Sequence, residues 1–141
     1  EIYTLSLHDA LPILENNVVS KKNFDSFACN PLLMTESDET KFIFTQVLEN
    51  VKLLIDVAHL KVSANTLEFD PVAYLQEFSD ITAAYHISDN NGLEDSNEAF
   101  SADSWFVKHI RKDLSYYSLE IYVSDVNVLE SQYSLLSSIL G

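Results

Sequence analysis

Short apolar runs alternate along this chain with segments whose apolar residues recur at helical spacing, and polar, turn-rich stretches separate the two. Residues 14–19 (LENNVV) read as the tail of a strand. A loop through Asn30 and Pro31 leads to Thr35, an N-cap with Asp38 three residues on, and then to a helix over 36–49. That helix carries Phe42, Ile43, Val47 and Leu48 as one stripe. Residues 51–57 (VKLLIDV) are almost continuously apolar, as expected of a parallel strand covered on both faces. Asp70-Pro71 starts the next helix, with an acidic cap and proline at the first helical position, and Val72, Leu75 and Phe78 form its inner face. Residues 81–87 (ITAAYHI) predict a third strand, whose Ala83 and Ala84 suit a crowded interior. The polar loop SDNNGLEDSNEAFSAD then leads to a short helix around 105–112 and a fourth strand over 116–123 (YYSLEIYV). Asn127 with Glu130 caps a last helix striped by Leu129, Tyr133, Leu136 and Leu140.

The order β-α-β-α-β-α-β-α argues for a parallel α/β fold. Four such units make half of an eight-stranded barrel or part of an open doubly wound sheet. Beyond residue 13 the chain holds only Gly92 and Gly141, so no glycine-rich phosphate loop follows any strand. That weighs against dinucleotide- or nucleotide-binding sheets and favours the barrel.

Residues 1–13 (EIYTLSLHDALPI) match, residue for residue, one reading frame of a common short-read sequencing adapter, and are set aside as a translated artefact. They are not expected to pair as a strand, although ALPIL is apolar enough to imitate one. Residues 14–141 then form one domain of ordinary size. Of the 22 acidic side chains, Glu1 and Asp9 fall in the artefact, which leaves 20 against 8 basic ones and a formal charge of −12. Such a balance disfavours nucleic acid, whose backbone is bound through Lys and Arg. With Cys29 alone no intrachain disulfide can form, and a reducing, cytoplasmic setting is expected. No apolar stretch approaches the ~20 residues needed to cross a bilayer.

Four metal-ligating side chains, Glu15, Asp56, His86 and Glu120, lie in or at the end of the four predicted strands. Residues at the C-terminal strand ends of a parallel barrel share one mouth, so this placement points to a divalent-cation site. Asp56 after KLLI is costly to bury unless paired or bound to a cation, and it equally suits a cap for the following turn. His59, three residues on, is by itself more commonly a packing or surface histidine. The His86 imidazole suits Mn, Co, Zn or Fe, whereas carboxylates alone would suit Mg. Glu120 interrupts YSLEIY, a poor place for an unpaired charge, and Glu15 precedes Asn16 and Asn17. Ser88-Asp89 lacks a nucleophile elbow. His109, between Lys108 and Arg111, reads as a solvated surface, and Tyr116-Tyr117 as strand packing.

The segments LENN at 14–17, LIDVAH at 54–59, YHISDN at 85–90 and LEIY at 119–122 together resemble the xylose isomerase-like TIM barrel superfamily, which takes in sugar phosphate isomerases and epimerases and apurinic endonucleases. The resemblance covers residues 14–141 and corresponds to strands five to eight of that barrel. It implies that Glu15, Asp56, His86 and Glu120 hold a divalent metal (Mn, Co, Zn or Mg) and that His59 contacts a sugar substrate. It further implies isomerase or epimerase chemistry through an enediolate, the metal acting as Lewis acid and Glu15 and Glu120 as base and acid. Two departures stand out. Endonuclease members carry Asp-x-His after the histidine strand, where this chain has Asp95-Ser96-Asn97, and the epimerase P-G-x-G element is missing. A metal-dependent phosphodiesterase of the endonuclease type and a non-catalytic homologue are the alternatives. The intact parent is expected to exceed about 250 residues. The half barrel alone, with two bare strand edges, is expected to be unstable, to aggregate or dimerise, and to have little activity.

Overall fold

Asp70 lies just ahead of Pro71, and its carboxylate accepts from Val72 N at 2.9 Å, so the helix predicted there begins where the sequence places it. The computed structural model describes residues 12–47 and 49–141. In chain order its elements are β1 (Ile13–Glu15), α1 (Lys21–Phe27), α2 (Ser37–Gln46), β2 (Lys52–Asp56), α3 (Val57–Leu67), α4 (Pro71–Glu77), β3 (Thr82–Ile87), β4 (Tyr116–Leu119) and α5 (Val126–Leu140). The strands form one parallel sheet in the order β1-β2-β3-β4, giving an α/β fold whose sheet order fits half of a barrel. Among the described residues no helix is long and apolar enough to cross a membrane. Replacing Asp70 by Ala removes the α4 cap, and urea titration should read a loss of about 1 kcal/mol.

The two faces of the sheet differ. Leu53, Ile55, Tyr85 and Ile87 point to one face and are fully buried, packed with Leu60, Tyr74, Leu75, Phe106 and Leu136 from the surrounding helices and turns. Side chains alternate along a strand, so Leu54, Asp56, Ala84, His86, Tyr116 and Ser118 share the opposite face. No helix of the described residues covers it, and Tyr116 is 67% exposed. The run VKLLIDV is therefore covered on one face, not on both as expected.

Several expected boundaries move. The first strand ends at Glu15 and not at Val19, because the Asn16 side chain turns to the backbone of Asp56 at the end of β2 and Asn17 N bonds Met34 O in a neighbouring loop. Ile13, expected to stand outside the fold, pairs with Lys52, and the Pro12 carbonyl accepts from Lys52 N at 2.9 Å. Ladder bonds use only backbone groups, and a β-branched residue suits the pleat; residues 1–11 lie outside the description. Thr35 is not the α2 cap: Glu36 holds that position, and the Thr35 hydroxyl accepts from the Asn30 amide at 2.5 Å. That helix stops at Gln46 with Phe42 exposed, and Leu48 lies outside the described residues. Residues 105–112 form no helix: 105–109 are consecutive turns and the remainder is bent, irregular chain. Val107 N bonds Ser104 O and His109 N bonds Phe106 O, three residues back, while Phe106, Val107 and Ile110 plug the core. The last strand stops at Leu119, although Glu120 N still bonds Ile87 O at 3.1 Å. Asp125, not Asn127, caps α5, its carboxylate taking both the backbone and side-chain N–H of Asn127.

Candidate metal centre

Parallel register decides which side chains meet. Asp56 and His86 are direct partners across β2 and β3, and Glu120 follows Leu119, the partner of Ile87. Glu15 ends β1, and the next amide, Asn16 N, bonds Leu54 O at 3.3 Å. All four predicted ligands thus stand at C-terminal strand ends, and one ligand atom from each lies within 4.8 Å of the others. His86 Nδ1 is at their centre: 2.8 Å from Glu120 Oε2, 3.3 Å from Glu15 Oε1 and 3.7 Å from Asp56 Oδ2.

A test of fit to a divalent cation comes from hydrogen bonding. Among the described residues, four buried side-chain polar atoms have no hydrogen-bond partner, and three of them are Asp56 Oδ2, His86 Nδ1 and Glu120 Oε2. The close approach of Glu120 to His86 is out of line for a hydrogen bond, so both atoms remain unsatisfied. Buried orphans of this kind are costly unless something else takes them. Donors on opposite sides of an ion at about 2.1 Å stand about 4.2 Å apart, so the group needs only a small contraction to bind one. Three carboxylates and one imidazole make a set that could hold a divalent cation.

Asp56 performs both tasks foreseen for it. Its Oδ1 accepts from Ala58 N and His59 N, both at 2.8 Å, and so caps α3, while Oδ2 faces the other donors. The chain passes from strand to helix at this residue, where a loop was expected. Asn16 completes the frame and is a residue that pattern reading missed. It is 1% exposed; its amide oxygen accepts from Asp56 N at 2.7 Å and its amide nitrogen donates to Asp56 O at 3.1 Å. Its backbone carbonyl meets His59 Nδ1 at 3.0 Å. Only the neighbouring Glu15 hints at Asn16 in the sequence. Replacing Asn16 by Ala should weaken metal binding about 10- to 100-fold, the usual effect of losing a group that orients a ligand, with fluorescence-monitored Mn2+ titration as the check.

Electrostatics follow from this packing. Burial pushes Asp56 up to about 6, with the Glu120 and Asp95 carboxylates adding to the effect and His59 opposing it. Contact with His86 holds Glu15 below its usual range, and the same contact raises His86. Burial works against charge on His59, but Asp95, Asp56 and the Asn16 carbonyl outweigh it and lift the imidazole to about 9. Its Nε2 is 3.2 Å from Asp95 Oδ2, and its Nδ1 is 3.6 Å from Glu15 Oε1. The fifth predicted residue thus stands beside the other four.

Asp95 is brought there by an anchored loop. Lys61 of α3 donates to Asp89 Oδ1 at 2.6 Å and to the Asn90 carbonyl, Ser104 donates to Asp89 Oδ2, and the Asn90 amide reaches Ala58 O. Ser88 is buried and donates to Asn97 Oδ1, which suits the weak reading of Ser88-Asp89 as a nucleophile. Asn97 also accepts from Tyr122 N through its carbonyl, so it ties β3 to the segment after β4. Neither a family model, nor a curated protein, nor a solved structure matches this chain, and its own geometry carries the functional reading.

Proposed function

We propose that this chain is the catalytic half of a divalent-metal-dependent sugar or sugar phosphate isomerase or epimerase on a (β/α)8 barrel. The observation that carries the reading is the convergence of Glu15, Asp56, His86 and Glu120, with three orphaned buried donors, at C-terminal strand ends. The unbroken strand order β1-β2-β3-β4 supports a barrel half, since a doubly wound sheet reverses its order at a switch point.

A bound divalent ion supplies Lewis acidity to a carbonyl and its neighbouring hydroxyl. The chain's own groups handle the proton. Glu15, at the end of β1, takes it from the carbon beside the carbonyl, giving the enediolate. Glu120, from the opposite end of the strand row, gives a proton of its own to the adjacent carbon, and exchange with solvent resets both carboxyl groups. His59, held between the Asn16 carbonyl and Asp95, carries its positive charge beside the donors and contacts the sugar.

A phosphodiesterase of the apurinic-endonuclease type is the second reading, favoured by the His59–Asp95 contact beside the four donors, where a second cation would find ligands. Opposing it are Asn97 in place of an imidazole, engaged with Ser88, and the acidic balance of the chain. A non-catalytic role is the remaining alternative. Mn2+ titration followed by electron paramagnetic resonance should count one tight ion per chain. NMR should detect slow deuterium uptake from solvent beside the carbonyl of a ketose, lost in Glu15→Gln and Glu120→Gln. Nicking of abasic plasmid with more than one ion per chain would transfer the assignment to the phosphodiesterase.

A further inference from the structure

Helix α3 begins at the metal centre and ends at a second recess. A groove of about 510 Å3 there is lined in part by Ala64, Glu68, Phe69, Pro71, Val72 and Trp105. Its size falls in the ~300–1,000 Å3 range of small-molecule sites. The helix has 11 residues, so its C-terminal end stands about 16 Å along the axis from Asp56, well clear of the four donors. Two walls of the groove are aromatic and are braced from behind. The Phe69 ring packs on that of buried Tyr74, with centroids 6.3 Å apart, and Trp105 meets fully buried Phe106 edge to face at 6.0 Å. Trp105 is half-buried and its Nε1 is shut off from solvent, so the indole shows carbon to the groove. Ala64, Pro71 and Val72 extend that carbon surface.

Charge at this end of the helix is negative. No basic residue lies in the last turn of α3, so the negative end of its dipole has no cation of its own. Glu68 closes the helix in a left-handed conformation (φ 60°), is exposed, and forms no ion pair among the described residues. Lys61 also lines the groove, but its amine donates to Asp89 Oδ1 at 2.6 Å and to the Asn90 carbonyl, so its charge is matched within the protein. Asn65 spends an amide N–H on Gly92 O at 2.9 Å and keeps Oδ1 as an acceptor. With Lys61 set against Asp89, Glu68 is the unmatched charge of the lining. Aromatic rings attract a cation through their quadrupole, tryptophan most strongly. A cation with a carbon exterior gains in addition from the apolar walls and asks for no hydrogen-bond partner. An anion would meet Glu68 and the wrong end of the helix dipole.

We propose that this groove is a binding site for a small quaternary ammonium compound, whose methylated nitrogen lies against Phe69 and Trp105 with Glu68 as its counter-charge. Trp105 is the one tryptophan of the chain, so its fluorescence reports on the groove directly. The test titrates the metal-free chain with choline, with 3,3-dimethyl-1-butanol, in which carbon replaces the charged nitrogen, and with potassium chloride at matched ionic strength. Choline should change the emission saturably, at about tenfold lower concentration than the alcohol, and the salt should leave it flat. Glu68→Gln should weaken choline about tenfold and spare the alcohol, and Phe69→Leu should weaken choline by a similar factor. Glu68 is exposed, so its substitution does not challenge the fold and decides the matter should Phe69→Leu misfold. A flat choline titration, an alcohol that binds as tightly as choline, a salt effect equal to that of choline, or choline binding unchanged by Glu68→Gln would each overturn the site. None of these results bears on the four donors at the other end of α3, which Mn2+ titration tests separately.

Discussion

Asp56→Asn is expected to stabilise the metal-free chain at neutral pH and to reduce its affinity for Mn2+ by more than about 100-fold, beyond the 10- to 100-fold typical of losing a supporting group. The sign follows from burial. Asp56 titrates near 3.8 when unfolded and at about 6 in the fold, so between those values the folded chain holds the extra proton. Stability from this residue is greatest below about pH 4 and falls as pH rises towards 6, by on the order of 3 kcal/mol in total. The substitution removes that slope, and urea titrations from pH 4 to 6 in the presence of a chelator measure it against the unaltered chain. His59 does not confuse the comparison, because its contribution fades only between 6.5 and about 9. Metal should act in the opposite sense. Binding requires ionised Asp56 and an unprotonated His86 Nδ1, so Mn2+ stabilises the fold above about pH 6, releases protons as it binds, and loses its grip as the solution is acidified. An Asp56→Asn chain that binds Mn2+ within about threefold of the original would sink the metal centre.

The same residue explains what could be read from the sequence and what could not. An ionisable group at the end of an apolar run is conspicuous, because burying it demands a partner, and Asp56, His86 and Glu120 each announce a strand end in that way. Helix α3 was hidden by the same feature. Asp56 serves as last strand residue and helix cap at once, so no glycine, proline or turn cluster marks the change. Val57, Ala58, Leu60, Val62, Ser63 and Ala64 are all buried, which blurs the one-sided stripe expected of a surface helix. Asn16 was illegible for another reason. LENN does not tell which asparagine turns inward, since that depends on Asp56 arriving from a strand 40 residues away.

Misreadings came from patterns that fit more than one structure. Phe106, Val107 and Ile110 have helical spacing, but turns deliver the same side chains to the core with a single i to i+4 bond, Ile110 N to Phe106 O, in place of a helix. On α5 the stripe is real and its burial is partial. Leu136 is buried while Leu129 and Tyr133 stand 41% and 67% exposed, because they overhang the β4 edge, where no further strand of the described residues lies. Periodicity reports which side of an element is apolar, and a packing partner for that side is a separate matter.

That overhang leads to the second large effect, self-association at micromolar concentration. Both edges of the sheet are open among the described residues, and each carries apolar surface. Beside β4 a groove of about 720 Å3 is lined by Tyr117, Leu119, Leu129, Tyr133 and Leu136. On the flank following β1, Phe27, Leu33 and Phe42 are exposed. If β4 of one copy lies beside β1 of another, both strands run the same way and the order β1-β2-β3-β4 continues, so a twofold repeat closes eight strands with both donor sets at one mouth. Sedimentation velocity should therefore show dimers or larger species. A lysine at an edge blunts such pairing. Tyr116→Lys together with Leu129→Lys should raise the dissociation constant by about 100-fold, since each apolar side chain left unburied costs about 1.5–3 kcal/mol. Neither residue is one of the four donors, so Mn2+ binding by the dissociated chain would assign the centre to a single copy. Loss of Mn2+ binding together with the dimer would mean that the centre is held in shape by the second copy.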